Sequence, residues 1–193
     1  MALRPTTSPI TAPGALSVMS LSRALRHKRR FDAVITLEDP ACRPAARLRF
    51  HKKPAPAHLI MACEDVDDDT LGIQVATQSQ VAEALAFARR HKDGALLVHC
   101  FHGVGRSAAI ALAVLADRLG KGGEKAALAH LLEIRPEATP NLVIVKRADE
   151  ILDREGRLVA VVEAWEAGDE RVRESRKARR AFLLANPQLY ARI

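Results

Sequence analysis

Two hydrophobic periods alternate along this chain: short apolar runs that suit buried strands, and longer stretches with apolar positions every three or four residues that suit helices. The run Ala15-Leu16-Ser17-Val18-Met19-Ser20-Leu21 predicts a first strand, and a basic helical turn follows through Arg30. Phe31-Asp32-Ala33-Val34-Ile35-Thr36-Leu37 predicts a second strand, stopped by Glu38-Asp39-Pro40. Pro44, Pro54 and Pro56 break the next segment into loops around Arg47-Leu48-Arg49-Phe50, which is expected as an edge strand. His58-Leu59-Ile60-Met61-Ala62-Cys63 predicts a further strand that delivers the acidic run Glu64-Asp65-Val66-Asp67-Asp68-Asp69.

From there the helical period dominates. Thr77-Gln78-Ser79-Gln80 fits a capping box, and Val81, Leu85 and Ala88 share one face of the helix it opens, which ends near His91-Lys92-Asp93-Gly94. Ala95-Leu96-Leu97-Val98 predicts another strand. Ser107 to Leu119 predicts an almost wholly apolar helix closed by Gly120, and a helix that apolar is covered on most sides. Glu124 to Ile134 predicts a helix ended by Pro136, Asn141 is placed to cap one that runs to Leu152, and Gly156 precedes one that runs through Trp165. Strands alternating with helices predict an α/β domain with a central, mostly parallel sheet of about 4-5 strands flanked by helices. The expected organisation is a flexible N-terminal arm over 1–13, a catalytic domain over 14–167 and a basic helical C-terminal tail over 168–193.

The candidate chemistry lies in His99-Cys100-Phe101-His102-Gly103-Val104-Gly105-Arg106-Ser107, between a predicted strand and a predicted helix. A loop in that position aims successive backbone N–H groups and the positive end of a helix at one point, where an anion can sit. The same field favours the thiolate of Cys100, the nucleophilic form of a cysteine. Gly103 and Gly105 remove side chains that would block backbone approach to an oxyanion. Arg106 offers a planar fork that grips two phosphate oxygens, which lysine cannot do. The backbone N–H groups of Phe101, His102, Gly103, Val104, Gly105 and Arg106 complete a phosphate-binding cradle. The loop is not an ATP-binding Walker loop, because Gly-Lys-Ser/Thr does not follow the first glycine at the required spacing.

His99-Cys100-x5-Arg106-Ser107 resembles the signature of the cysteine-dependent protein tyrosine phosphatase superfamily, in its compact dual-specificity-like branch. The upstream acidic run and the downstream Arg135-Pro136-Glu137-Ala138-Thr139-Pro140-Asn141 agree with that pattern, so the resemblance spans roughly residues 14 to 153. It implies a phosphatase fold and phosphomonoester hydrolysis through a phosphocysteine intermediate on Cys100, with Arg106 binding the phosphoryl group. It also implies Asp65 as general acid, with Asp67 and Asp68 as competitors. Ser107 is implied to hydrogen-bond the sulfur, with helix capping as its alternative role. His99 is implied to orient the loop, the alternative being a satisfied buried histidine. Arg147 departs from the pattern, because many relatives place a water-positioning glutamine there.

Composition narrows the setting. The 193 residues are 48% hydrophobic, enough for one core. Three cysteines without Cys-x-x-Cys spacing point to a reducing compartment, and the lack of a long apolar run points to a cytoplasmic protein without a membrane partner. The first thirty residues are free of acids, like an organellar transit peptide, yet the predicted first strand already falls among them. The net charge of +7 leaves nucleic acid open as a partner, but few aromatics accompany the basic clusters Arg23–Arg30, Arg43–Lys53 and Arg171–Arg180. No cofactor and no metal are expected: His99, Cys100 and His102 crowd one tight loop, and zinc would quench the thiolate. Cys63 reads as a buried structural cysteine, with a protective disulfide to oxidised Cys100 as the alternative.

Phosphoinositide phosphatases resembling this superfamily often carry lysine at the first and fourth positions after the cysteine, where this chain has Phe101 and Val104. The expected partner is therefore a phosphorylated protein, phosphotyrosine favoured, with dual specificity open. An inositol phosphate or RNA 5′-phosphatase is an alternative of the same mechanism, and a catalytically weak phosphate-binding adaptor is an alternative of another class. Rhodanese-like proteins lack the upstream acid. Arsenate-reductase-like proteins place the cysteine near the N-terminus.

Overall fold

The computed structural model describes residues 14–193; the expected arm over 1–13 lies outside them. Four strands, β1 (Leu16–Ser20), β2 (Ala33–Glu38), β3 (Ala57–Ala62) and β4 (Leu96–Cys100), form one sheet in the order β1-β4-β2-β3. All neighbours pair in parallel. The carboxyl ends of the strands therefore share one edge, where open α/β sheets bind ligands. β4 is a central strand, with Ser20 of β1 beside Cys100 and Thr36 of β2 beside His99.

The side-chain period of two divides the strands between two cores. Ile35, Leu37, Leu96, Val98 and Cys100 join the larger one, beneath α2 (Gln78–Arg90), α3 (Arg106–Leu119), α4 (Glu124–Ile134), α5 (Leu142–Ile151) and α6 (Arg157–Ala167). Val34 and Leu97 point the other way, to a smaller core with Ala24 of α1 (Leu21–His27), Phe31 and Leu48. The apolar α3 is the central helix, buried from Arg106 through Ala116. The capping box forms at Thr77 and Gln80, and the Asn141 side chain accepts from Ile144 N–H at the start of α5.

Residues 47–50 do not form the expected edge strand. Leu48 is buried in the smaller core, and Arg49 forms a two-pronged ion pair with Glu38. Side chains satisfy nearby carbonyls: Lys28 Nζ donates to Arg49, and Arg29 donates to Lys52 and Pro54. Within 47–50 the Leu48 and Arg49 carbonyls thus accept from side chains instead of from a neighbouring strand.

The charged stretch after α6 forms α7 (Glu170–Ala185), which folds back against the acidic run instead of leading away from it. Val172 and Leu183 are its buried positions. Beyond α7, Arg192 makes an antiparallel bridge with Ile73. No helix among the described residues is long and apolar enough to cross a membrane.

Candidate active site

β4 extends past Val98, so His99 and Cys100 are its last residues and the loop 101–105 turns directly into α3. Its carbonyls are all held from outside. Phe101 accepts from Leu21 N–H at 3.1 Å, Val104 from Thr139 N–H at 2.8 Å and Gly105 from Asn141 N–H at 3.3 Å. Arg135 donates to Gly103 at 3.1 Å and to His102 at 3.4 Å. A trans peptide carries its N–H opposite its C=O, so fixing the carbonyls of 101 to 105 outward turns the N–H groups of 102 to 106 inward. Gly103 N–H indeed donates to Cys100 Sγ at 3.3 Å. Gly103 has φ +74, and a Cβ there would lie 2.5 Å from Met19 and Ser20 backbone atoms, so the loop presses on the end of β1 as only glycine permits.

Ser107 Oγ lies 3.1 Å from Cys100 Sγ, and both side chains are buried. The expected capping role is not taken: α3 begins at Arg106, Gly105 is its N-cap, and no side chain caps it. His99 Nε2 and His58 Nε2 each lie 2.8 Å from the Thr36 hydroxyl. Burial pushes the His99 pKa down to about 4, so the ring is neutral at pH 7. It is thus a buried histidine on the sheet face opposite Cys100, bonded through Nε2 to Thr36 while its Nδ1 is buried without a hydrogen-bond partner.

The Arg106 side chain is only 3% exposed, and its Nη2 lies 2.8 Å from Asp39 Oδ1. Nη1 donates to the Cys63 carbonyl, and Nε is 3.9 Å from Asp65 Oδ2. Burial works against the cation, yet the surrounding Asp65, Cys100 and Asp39 raise the net Arg106 pKa. Cys63 lies at the start of the acid loop, where burial pushes its thiol up to about 12.

The three candidate acids occupy different places. Asp65 faces the cradle: a Cβ on Gly105 would come 2.3 Å from its Oδ2. Asn141 Nδ2 donates to Asp65 Oδ1 at 3.0 Å and to the Val66 carbonyl at 3.0 Å. Asp67 accepts from Leu142 N–H at 2.9 Å and from Arg179 at 3.1 Å, and also pairs with Arg176 at 2.9 Å. Asp68 is bound to Thr70 and to Arg180. Arg147 pairs with Asp69 at 3.5 Å.

Sequence reasoning missed Asp39, Arg135 and Asn141 as parts of this site. Asp39 was read only as the end of a strand, although the end of a strand parallel and adjacent to β4 must lie near the loop. A cleft of about 960 Å³ opens beside the loop, lined by Asp39, Asp65, Phe101, His102 and Arg106 together with α7 residues.

This is the protein tyrosine phosphatase fold, in its compact dual-specificity-like form. Solved structures similar to the chain include Tk-PTP in its active form, at 23% identity and TM-score 0.53, covering 79% of this chain and 99% of that one. Human DUSP28 is similar at 20% identity and TM-score 0.53, covering 76% and 95% respectively. PTPMT1 in complex with PI(5)P is similar at 20% identity and TM-score 0.51, covering 72% and 91%. No family model and no curated protein matches the sequence.

Proposed function

We propose that the chain is a cysteine-dependent phosphomonoester hydrolase acting through a phosphocysteine intermediate, with phosphotyrosine in a protein as its favoured substrate. One observation carries this reading: Cys100 Sγ accepts a bond from the loop amide of Gly103, and the same loop leads to Arg106, whose guanidinium lies 3.9 Å from the Asp65 carboxylate at the mouth of the cleft that both line. A pure phosphate-binding adaptor has no use for the nucleophile or the acid.

In the first step the Cys100 thiolate attacks phosphorus in line and the phosphorus–oxygen ester bond breaks. Protonated Asp65 gives its proton to the leaving oxygen. The cradle amides and Arg106 stabilise the charge that builds on the non-bridging oxygens. In the second step water attacks the phosphocysteine, Asp65 accepts a proton from it, and the sulfur–phosphorus bond breaks to release phosphate. The Ser107 hydroxyl, 3.1 Å from the sulfur, stabilises the departing thiolate. Asp39 positions Arg106, and Asp67 and Asp68 hold the acid loop.

A second reading, an inositol phosphate or RNA 5′-phosphatase, draws support from Arg173 and Lys177, which line the same cleft and offer cations to a second anionic group. Hydrolysis of p-nitrophenyl phosphate by wild type, Cys100→Ser and Asp65→Asn tests the reaction. The serine variant loses turnover, and the asparagine variant falls about 10²- to 10⁴-fold in kcat, the range of a general acid. A serine variant as active as wild type overturns the mechanism. Phosphotyrosyl peptide, phosphoseryl peptide, an inositol polyphosphate and 5′-phosphorylated RNA at equal concentration then separate the substrate classes.

A further inference from the structure

The basic runs Arg23–Arg30 and Arg43–Lys53 take no part in the site, and the fold brings their far ends together. Arg29 and Arg30 lie just before β2, Lys52 and Lys53 just before β3, and Ala33 pairs with Ala57 where those two strands begin. Arg29 Nη2 donates to the Lys52 carbonyl and Nη1 to the Pro54 carbonyl, each at 2.9 Å, so the two runs touch. Arg26, Arg29, Arg30, Lys52 and Lys53 are all exposed there. Leu25, a turn before Arg29, is 40% exposed among them. From Leu21 to Pro56 the acids are Asp32, Glu38 and Asp39, and the last two lie at the opposite end of β2. Asp32, at the same edge, accepts from Ala95 N–H at 2.8 Å. The edge therefore combines an excess of cations with an exposed apolar side chain.

We propose that this edge adsorbs to an anionic lipid bilayer, with Leu25 entering the interface and the cations facing acidic headgroups. Clustered Lys and Arg are drawn to an anionic leaflet, and an apolar side chain among them gains burial there that a purely polar polyanion does not offer. A nucleic acid is the less favoured polyanion, because the nearby rings are taken. Phe31 is buried, and Phe50 lies under Lys28 Nζ at 5.0 Å and Arg29 Cζ at 5.9 Å, so neither is free to stack on a base. The expectation of no membrane partner rests on the lack of a long apolar run, which concerns crossing a bilayer and not lying against one. Cys100 stands at the other end of the parallel strands, about 17 Å away across the five residues of β4. An adsorbed molecule thus turns its cleft to the water. The contact is independent of the reaction, so its failure leaves the hydrolase reading standing.

Cosedimentation at physiological ionic strength tests this, with vesicles of phosphatidylcholine alone and with phosphatidylserine added. Wild type binds only the anionic vesicles. Arg26→Gln with Arg30→Gln, and Lys52→Gln with Lys53→Gln, each weaken binding by up to about 25-fold, since a cation near the surface is worth about fivefold. Leu25→Ser weakens it by about three- to eightfold, the part of a leucine's transfer that its 40% exposure leaves available. Lys125→Gln with Lys146→Gln, on helices that cover the other face of the sheet, leaves it unchanged. The two cation pairs stand on separate segments, so the test survives misfolding of either. Hydrogen exchange on the vesicles slows in 22–30 and 51–54 and not in the acid loop. An equal loss in the Lys125 and Lys146 control, a Leu25→Ser variant as tight as wild type, binding to phosphatidylcholine alone, no binding, or protection of the acid loop overturns the proposal. So does duplex RNA bound more tightly than the anionic vesicles.

Discussion

Asp65 rests against Gly105 so closely that a Cβ on that glycine would come 2.3 Å from Oδ2 and 2.7 Å from Oδ1 of the carboxylate. The nucleophile loop and the acid loop thus touch where a side chain is missing. Gly105→Ala must push Asp65 outward or distort the start of α3. Its kcat is expected to fall by at least about tenfold on phenyl phosphate, and less on an ester whose leaving group needs little protonation, since general-acid help matters most for poor leaving groups. The ratio of kcat values for phenyl and 2,4-dinitrophenyl phosphate in wild type and variant checks this. An unchanged ratio contradicts the assignment of Asp65 as the acid.

Asn141 makes four bonds that join separate elements: its N–H holds Gly105, its Nδ2 holds Asp65 and Val66, and its Oδ1 caps α5. Asn141→Ser keeps a good capping oxygen and removes the amide donor, whereas Asn141→Ala loses both and gives up about 1 kcal/mol more from the lost cap. Both variants are expected to lose kcat to a similar extent, and alanine to melt at the lower temperature. Kinetics and thermal melts on the pair separate the tether from the cap.

The nucleophile loop was legible because its chemistry is local. Cys100, both glycines and Arg106 lie within one strand-to-helix turn, and the parallel strands follow from the apolar runs that flank it. What surrounds the loop was less legible, because it is assembled by tertiary contacts. Arg135 holds two loop carbonyls from a distant segment, and Asp39 reaches Arg106 only because β2 lies next to β4. The edge strand expected at 47–50 did not form, and local periodicity does not reveal that Lys28 and the Arg49 side chain take the Arg49 and Leu48 carbonyls. Where the basic stretch 171–180 packs was hidden for a similar reason: its partners, Asp67 and Asp68, are far away in sequence.

Thr36 shares one hydroxyl between two histidines, and it has only one proton to give, so one of the two rings must donate to it. Burial pushes His58 and His99 down to about 4, against an ordinary value of 6.5. The unfolded chain therefore binds more protons than the folded one between those values, and stability rises with pH across that window. The contribution is fully present above pH 6.5 and is lost as pH falls toward 4. Thermal melts from pH 7 to pH 4 are expected to show a falling midpoint in wild type and a shallower fall in His58→Gln, which cannot be protonated. Parallel slopes for the two proteins would show that the histidines do not carry the effect.

Asp67 and Asp65 lie two residues apart and should answer differently when neutralised. Asp67 ties the acid loop to α5 through Leu142 N–H and to α7 through Arg176 and Arg179, whose own side chains are largely covered. Asp67→Asn leaves Arg179 without its carboxylate and Arg176 with that of Glu166 alone, and is expected to cost about 1.5–3 kcal/mol of stability, the range for a hydrogen bond to a charged group. Its kcat should fall because the loop is held less firmly, but equally for good and poor leaving groups. Asp65→Asn should leave stability nearly intact and steepen the dependence of kcat on leaving-group basicity. If the two profiles come out exchanged, with the steep dependence in Asp67→Asn, the proton comes from Asp67 and the α7 clamp must open during each turnover.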